Sequence, residues 1–326
     1  MKNVSNEDRQ AGYRKVLDYS DTVVLVPCLN EEASVAKVVE GFQNHLPGCR
    51  IVVYDNNSTD DTVALAAASG AEVRHEKMRG KGHVVRRMFR DIDAQIYILT
   101  DGDLTYDPSK APAMIDLLRK DALDVVIGRR IDAGGKEYRR GHRFGNRALT
   151  STISRLFRSE LSDMLSGYRV MSRRFVKSFP VEAKGFEIET ELTVHMLQLS
   201  IPFAEVDTEY GARHEDTESK LRTFVDGFRI LRTIAGLTIL ERPTLVFGAS
   251  GFAACLVALA MFLPVLAEFQ QTGLVGRLPT LVVSIVLGST GLVSIFTGLI
   301  LSGITRTRRD MKRLAYLRLP PPVPSE

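Results

Sequence analysis

Two long stretches near the C-terminus, Leu245 to Leu266 and Leu278 to Ile304, contain no charged residue. A helix that crosses the hydrocarbon core of a bilayer needs about 20 predominantly apolar residues, and each stretch is long enough. Two buried core helices are the alternative, but uncharged runs of this length are rare in soluble domains. The linker "AEFQQTGLVGR" between them is short and nearly charge-balanced. Arg222, Arg229, Arg232 and Arg242 precede the first stretch, and "TRTRRDMKRLAYLR" follows the second. Basic residues favour the cytoplasmic side, so a two-helix hairpin with both flanks in the cytoplasm is expected.

The remainder is polar enough to be a soluble domain. The chain has 326 residues, 44% of them hydrophobic, and a formal net charge of +4. That mild balance, without an aromatic-interleaved basic patch, argues against a nucleic-acid binder. Cys28, Cys49 and Cys255 have no C-x-x-C spacing and read as reduced thiols of a cytosolic domain. The six histidines form no H-E-x-x-H or H-x-H pattern, so zinc is not expected. Residues 1–20 are polar and lack the apolar core of a signal peptide.

From residue 21 onward, short apolar runs alternate with helical patterns. "TVVLVPCLN", "RIVVYDN", "AEVRHE", "AQIYILTD" and "LDVVIGRR" read as strands, with helical segments between the successive runs. This rhythm predicts a mostly parallel open sheet with helices on both faces. Ligands of such sheets bind beyond the carboxyl ends of the strands. The residues to examine are therefore Asn30 and Glu31, Asp55 to Ser58, Asp101 and Asp103, and Arg129 and Arg130. In "STDDTVALAAASG", Ser58 or Thr59 is the expected N-cap and Gly70 the stop. Residues 185–199 are expected to be helical. Leu221, Phe224, Phe228, Leu231 and Ile234 lie at helical spacing with arginines between them, which predicts an amphipathic juxtamembrane helix over 221–242.

"QIYILTDGDLTYDP" ends an apolar run on two aspartates separated by one glycine. Two close carboxylates repel unless they are solvated or share a cation. At a strand's carboxyl end, Asp101 and Asp103 suit magnesium or manganese bridging to a diphosphate. Asp91 and Asp93 have the same spacing but fall in a helical pattern, where such residues do not share a face. Asp55 ends a strand and is positioned for nucleobase or ribose contact; Ser58 to Asp61 fit ordinary turn and capping chemistry. Gly80-Lys81-Gly82 lacks the Ser or Thr of a Walker A loop, but suits backbone approach to an anion. Arg129, Arg130, Arg139, Arg140, Arg169, Arg213 and Lys220 form a basic set suited to a phosphorylated lipid.

Taken in order, "VVLVPCLNEE", "VVYDNNSTDDT", "RGKGHVVRR", "TDGDLTYDP", "VIGRR", "SGYRVMSRR" and "RHEDTESKL" resemble family 2 glycosyltransferases of the GT-A fold. The resemblance is closest to the branch making dolichyl- or polyprenyl-phosphate sugars, and it covers about two thirds of the chain. It joins the hydropathy and the flanking charges in the expectation of a cytosolic catalytic domain over 21–220, two spans within 243–305 and a basic cytosolic tail over 306–326. It implies that Pro27, Asn30, Glu31, Asp55, Lys81 and Gly102 bind the nucleotide sugar. Asp101 and Asp103 would hold Mg2+ or Mn2+ and the donor diphosphate. Arg129, Arg139, Ser166, Arg169, Arg213 and Lys220 would surround the acceptor phosphate or the transferred sugar. With Asp101 and Asp103, Arg129 and Arg169 complete the implied catalytic set.

Three residues depart from the family pattern. Asn56 stands where a second aspartate is frequent, Thr105 where a metal-completing glutamine is frequent, and Asp216 where a glycine is common. Glu187 or Glu189 is a further candidate for sugar hydroxyls. The implied partners are a nucleoside-diphosphate sugar, a polyprenyl phosphate and the bilayer; the paired spans are compatible with a homo-oligomer. A processive polysaccharide synthase is disfavoured, because the chain has no tryptophan and hence no Q-x-x-R-W. Another lipid or glycan acceptor, or a non-catalytic nucleotide-sugar-binding membrane scaffold, are the alternatives.

Overall fold

A computed structural model describes residues 18–132, 150–151, 153–157, 159–185, 187–211, 235–236 and 238–322. Arg139, Arg213, Asp216, Lys220 and the expected amphipathic stretch at 221–234 lie outside these residues. The chain divides into two compact units. The first comprises Met1–Thr150, Ser159–Ser219 and Ala315–Glu326; the second comprises Ser151–Arg158 and Lys220–Leu314.

The first unit is built on strands β1 (Thr22–Cys28), β2 (Arg50–Asp55), β3 (Glu72–His75), β4 (Ile96–Leu99), β5 (Val125–Asp132), β6 (Arg169–Ser172) and β7 (Phe203–Tyr210). The helices are α1 (Val35–His45), α2 (Thr62–Ala68), α3 (Lys81–Asp91), α4 (Ala111–Lys120), α5 (Arg173–Ser178) and α6 (Ile188–Leu199). The sheet order is β3-β2-β1-β4-β6-β5-β7. β6 runs antiparallel to both β4 and β5, while every other pairing is parallel. The sheet is therefore mixed, and β6 is the strand that the alternating pattern did not disclose.

The helices that flank the sheet carry an apolar stripe at the expected period. Val35, Val38, Val39 and Phe42 of α1 are buried, as are Ala111, Met114, Ile115 and Leu118 of α4. Positions i, i+3, i+4 and i+7 share one helical face. Both stripes pack with Val24, Val26, Ile51, Val53, Ile96 and Ile98 in one core cluster. Full burial of each such side chain contributes about 1.5–3 kcal/mol. On the other face, Phe89 of α3 meets Tyr97 of β4 and Phe179, edge to face.

β1, β2 and β4 are parallel and in register, Cys28 opposite Asp55 and Leu25 opposite Leu99. Their carboxyl ends consequently open on the same edge of the sheet. Three local expectations shift here. Arg129 and Arg130 lie inside β5, which continues to Asp132, rather than beyond it. Asp61, not Ser58 or Thr59, occupies the N-cap of α2. Asp93 lies past the C-terminal end of α3, where Arg173 pairs with it at 2.8 Å.

The second unit contains α7 (Pro243–Thr272, 30 residues) and the main part of α8 (Leu278–Leu317, 40 residues). At 1.5 Å per residue these run about 45 and 60 Å, longer than the roughly 30 Å hydrocarbon core. Both are apolar and long enough to cross a membrane, and only 11% and 17% of their most apolar windows are buried. α8 continues through the basic stretch that follows its apolar part, so residues 306–317 are helical. The two helices meet on small residues. A Cβ on Gly251 would lie 2.5 Å from the Gly291 carbonyl oxygen, and one on Gly291 2.6 Å from Cys255 Sγ. Ser294 Oγ donates to the Phe247 carbonyl at 2.9 Å.

Candidate active site

The site is assembled on the carboxyl edge of β1, β2 and β4. After β1, Asn30 adopts φ 55°, a left-handed conformation that asparagine tolerates better than most residues. Its backbone N–H donates to Ser58 Oγ at 2.9 Å, and its Oδ1 accepts the Thr59 N–H at 2.8 Å. The Glu31 N–H donates to Thr62 Oγ1 at 2.8 Å. Ser58 and Thr59 thus tie the loop after β2 to the loop after β1. Half-buried Pro27 is the next-to-last residue of β1.

Asp55, 4% exposed, accepts the N–H groups of Asn57 and Ser58 at 3.2 and 3.0 Å, and faces His75 Nδ1 at 3.3 Å. Asn56 has a different role from a base-contacting aspartate. Its Nδ2 donates to the carbonyls of Glu76 and Met78 at 2.9 and 2.8 Å, and its Oδ1 accepts the Gly80 N–H at 2.7 Å. It splints the end of β2 to the segment that leads into Lys81.

Gly80 and Gly82 explain the G-K-G spacing. Gly80 has φ +127°, and a Cβ there would lie 2.1 Å from the Lys184 carbonyl oxygen. A Cβ on Gly82 would lie 2.3 Å from the Ala183 carbonyl oxygen. Backbone therefore packs on backbone, and Lys81 between them is directed inward, its side chain 9% exposed. The Lys81 ammonium pairs with Asp101 Oδ1 and, at 2.5 Å, with Glu189 Oε1. Burial by itself lowers a lysine pKa; Asp101 and Glu189 outweigh it and hold this group above its ordinary value.

Gly102 sits where a Cβ would come within 2.6 Å of Cys28 Sγ. Its carbonyl accepts from Ser34 Oγ at 2.7 Å, which joins the start of α1 to the aspartate pair. Asp103, 6% exposed, is oriented by Thr105, whose Oγ1 donates to Asp103 Oδ1 at 2.6 Å and whose N–H donates at 3.2 Å. Burial, followed by the charges of Glu31, Asp55, Asp101 and Asp103, pushes the Cys28 thiol well above its usual range, so it stays neutral beneath them.

The loop before β6 closes the other side. Ser166 is buried and donates to the Gly128 carbonyl at 2.6 Å. The Gly167 N–H donates to Tyr106 Oη at 2.8 Å, and a Cβ on Gly167 would lie 2.8 Å from Asp101 Oδ2. Arg169 is 0% exposed, and burial pushes its guanidinium down to about 10. It donates to the carbonyls of Ser166 and Met164 at 3.0 and 2.8 Å and to Thr193 Oγ1 at 2.8 Å. Its place is that of a strut under the Ser166–Gly167 loop, not a surface open to an acceptor phosphate. Arg129, half-exposed, pairs with Asp207 at 2.5 Å, two strands away from β4 in the sheet order.

The structure thus gathers Pro27, Asn30, Glu31, Asp55, Lys81, Asp101, Gly102 and Asp103 on one edge, with Ser166 next to it. Glu189 joins through Lys81, although 108 residues separate the two; its place in the first turn of α6 was the available sequence signal. Ser34, Tyr106 and Gly167 carried none.

The carboxylates of Glu31, Asp55, Asp101 and Asp103 make this edge acidic, with Lys81 as the cation among them. An anionic diphosphate requires additional positive charge there. The hard oxygens of Asp101 and Asp103 fit magnesium or manganese. Among the described residues no group of three or more His, Cys, Asp or Glu side chains completes a metal shell. Oxygens of the donor and water would supply the rest.

Comparison with known proteins fits this geometry. The profile described as Glycosyl transferase family 2 matches residues 23–179. Glycosyltransferase AglJ of Haloferax volcanii is 32% identical over 253 residues, 76% of this chain and 81% of that one. The chain belongs to glycosyl transferase family 2. It is a glycosyltransferase with the GT-A fold. Dolichol-phosphate mannosyltransferase of Pyrococcus furiosus is 26% identical over 214 residues, covering 61% of this chain and 58% of that one. Glucosyl-3-phosphoglycerate synthase from Mycobacterium tuberculosis, solved with Mn2+, UDP and glucosyl-3-phosphoglycerate, superimposes with a TM-score of 0.52 at 24% identity. That match covers 68% of this chain and 79% of the other and concerns the fold.

Proposed function

We propose that this family 2 enzyme is anchored in a membrane by α7 and α8 and transfers a sugar, with inversion, from a nucleoside diphosphate to a polyprenyl phosphate at the cytoplasmic face. The observation that carries this reading is the presence in one chain of the Asp101–Asp103 edge and two largely unburied apolar helices. The similarity to a dolichol-phosphate mannosyltransferase supports a lipid phosphate as acceptor. The arginines on both flanks of the helices support cytoplasmic ends.

In this reading Asp55, Asn30, Glu31 and Pro27 frame the nucleoside. Asp101 and Asp103 would hold Mg2+ or Mn2+, and that cation would supply positive charge for the leaving diphosphate. An acceptor phosphate is already an anion at neutral pH and attacks the anomeric carbon without a general base. Its main requirement is position. Arg129, Arg139, Arg213 and Lys220 are the groups assigned to it; Ser166, as buried as Arg169 and donating to the Gly128 carbonyl, shapes the loop that Arg169 holds.

A donor screen tests the proposal. Purified full-length protein in detergent, with Mg2+ or Mn2+ and polyprenyl phosphate, is offered UDP- and GDP-sugars. Glycolipid formed from one donor, and lost with a chelator and in Asp103→Ala, is the expected result. Nucleoside diphosphate release without glycolipid would exclude this acceptor.

A further inference from the structure

Lys81 is placed unusually for a residue expected to meet only an anionic ligand. Its ammonium is enclosed between two carboxylates from different elements, Asp101 after β4 and Glu189 on α6. Side-chain exposures are 9% for Lys81, 8% for Glu189 and 28% for Asp101. Asp101 is thus the open end of the trio and Glu189 the closed end. One oxygen of Asp101 faces the ammonium, and the other lies against the Gly167 backbone, where even a Cβ would be 2.8 Å away. A dication approaching Asp101 meets a carboxylate whose charge is already compensated, with a fixed positive group beside it.

We propose that Lys81 is a built-in counter-ion that competes with the divalent metal for Asp101, and that Glu189 is the positioning residue that retains the ammonium when Asp101 turns to the metal. This rests on the reading of Asp101 and Asp103 as metal ligands. The trio is a carboxylate exchange: one ammonium, two possible anionic partners, only one of them needed by the metal. An ammonium has three donors and no acceptor, so it must keep an anion or water for each. In this buried place Glu189 supplies that anion, and Lys81 need not leave the site to release Asp101. Metal loading is thereby coupled to donor arrival, because the diphosphate brings oxygen ligands for the cation and an anion for the lysine.

The test is Mn2+ binding to the full-length protein in detergent without nucleotide, followed by the free Mn2+ signal in electron paramagnetic resonance. Lys81→Met should bind Mn2+ about 10- to 100-fold more tightly than wild type, the factor expected for releasing a charge-assisted hydrogen bond. Glu189→Gln should bind it more weakly, because the ammonium is left with Asp101 alone. In the Lys81→Met background, Glu189→Gln should have no further effect. Simple long-range electrostatics would instead make the two changes additive, and additivity overturns the exchange. Unchanged or weaker binding in Lys81→Met also overturns it. Lys81→Gln provides the same comparison if the methionine variant does not fold. Wild type with UDP or GDP, against Asp103→Asn, tests the metal reading separately. If neither nucleotide brings Mn2+ to wild type, that reading falls and the exchange with it; if one does and Lys81→Met is unchanged, only the exchange falls.

Discussion

Asn56 and Gly80 are joined by a 2.7 Å hydrogen bond from the Gly80 N–H to Asn56 Oδ1, across 24 residues of sequence. The same side chain donates its Nδ2 to two carbonyls, so the three contacts together require an amide. The asparagine that departs from the common family pattern is therefore matched to the chain around it. An aspartate would present an acceptor to the carbonyls of Glu76 and Met78.

Asn56→Asp should accordingly destabilise the catalytic unit by about 3 kcal/mol, the cost of two lost donors in a buried place. It should also weaken UDP or GDP binding, because Lys81 follows directly on Gly80. Urea midpoints and nucleotide titrations check this; a variant as stable as wild type would remove the splint from the account.

Gly102→Ala should reduce turnover without unfolding the protein. The new Cβ would meet Cys28 Sγ at 2.6 Å, well inside the ordinary contact of about 3.5 Å. A displacement of the aspartate pair near 1 Å corresponds to a loss of about a hundredfold. Cys28→Ala in the same chain removes the obstructing sulfur and should restore part of the rate. Absence of any rescue in the double variant would place the defect elsewhere.

Asp60 gives a pH dependence whose sign can be worked out. Burial raises its pKa, but the hydroxyl and N–H of Thr62 and the N–H of Glu32 outweigh that and hold it below the usual carboxylate range. A depressed folded pKa stabilises above the unfolded value of about 4, and the stabilisation is lost as pH falls through the folded value. Wild type should exceed Asp60→Asn in urea midpoint at pH near 7, and the gap should shrink as pH falls below the usual carboxylate range. A gap independent of pH would contradict the assignment.

Gly291→Leu should separate α7 from α8. Any side chain at this position runs into Cys255 Sγ and the Gly251 carbonyl oxygen, at 2.6 and 2.7 Å from the Cβ. Overpacking of this kind costs about 1–3 kcal/mol. The readout is the thermal midpoint in detergent, with Ile285→Leu, at an exposed position, as the neutral comparison.

Much of the site was legible in the chain because parallel strands place their successors on one edge. Once "TVVLVPC", "RIVVYD" and "IYIL" are strands, Asn30, Glu31, Asp55, Asp101 and Asp103 must converge, whatever the detailed packing. Lys81 was legible as a cation near an anion. Its partner Glu189 was not singled out from Glu187, since one lies in the first turn of α6 and the other at its N-cap, and only packing separates them.

The sequence by itself determined the period of the helices, the strand ends on carboxylates and the two apolar runs, all properties of neighbouring residues along the chain. Tertiary structure alone decided what depends on distant segments. It inserted β6 antiparallel between β4 and β5, which took Arg169 into the core, where its guanidinium holds backbone carbonyls. It made Asn56, the residue that departs from the family pattern, a splint, and gave Lys81, expected near an anionic ligand, two carboxylates of the chain itself. The physical reason is common to all three: a buried polar group must find its partners among whatever residues folding brings within about 3 Å, and local sequence does not encode which those are.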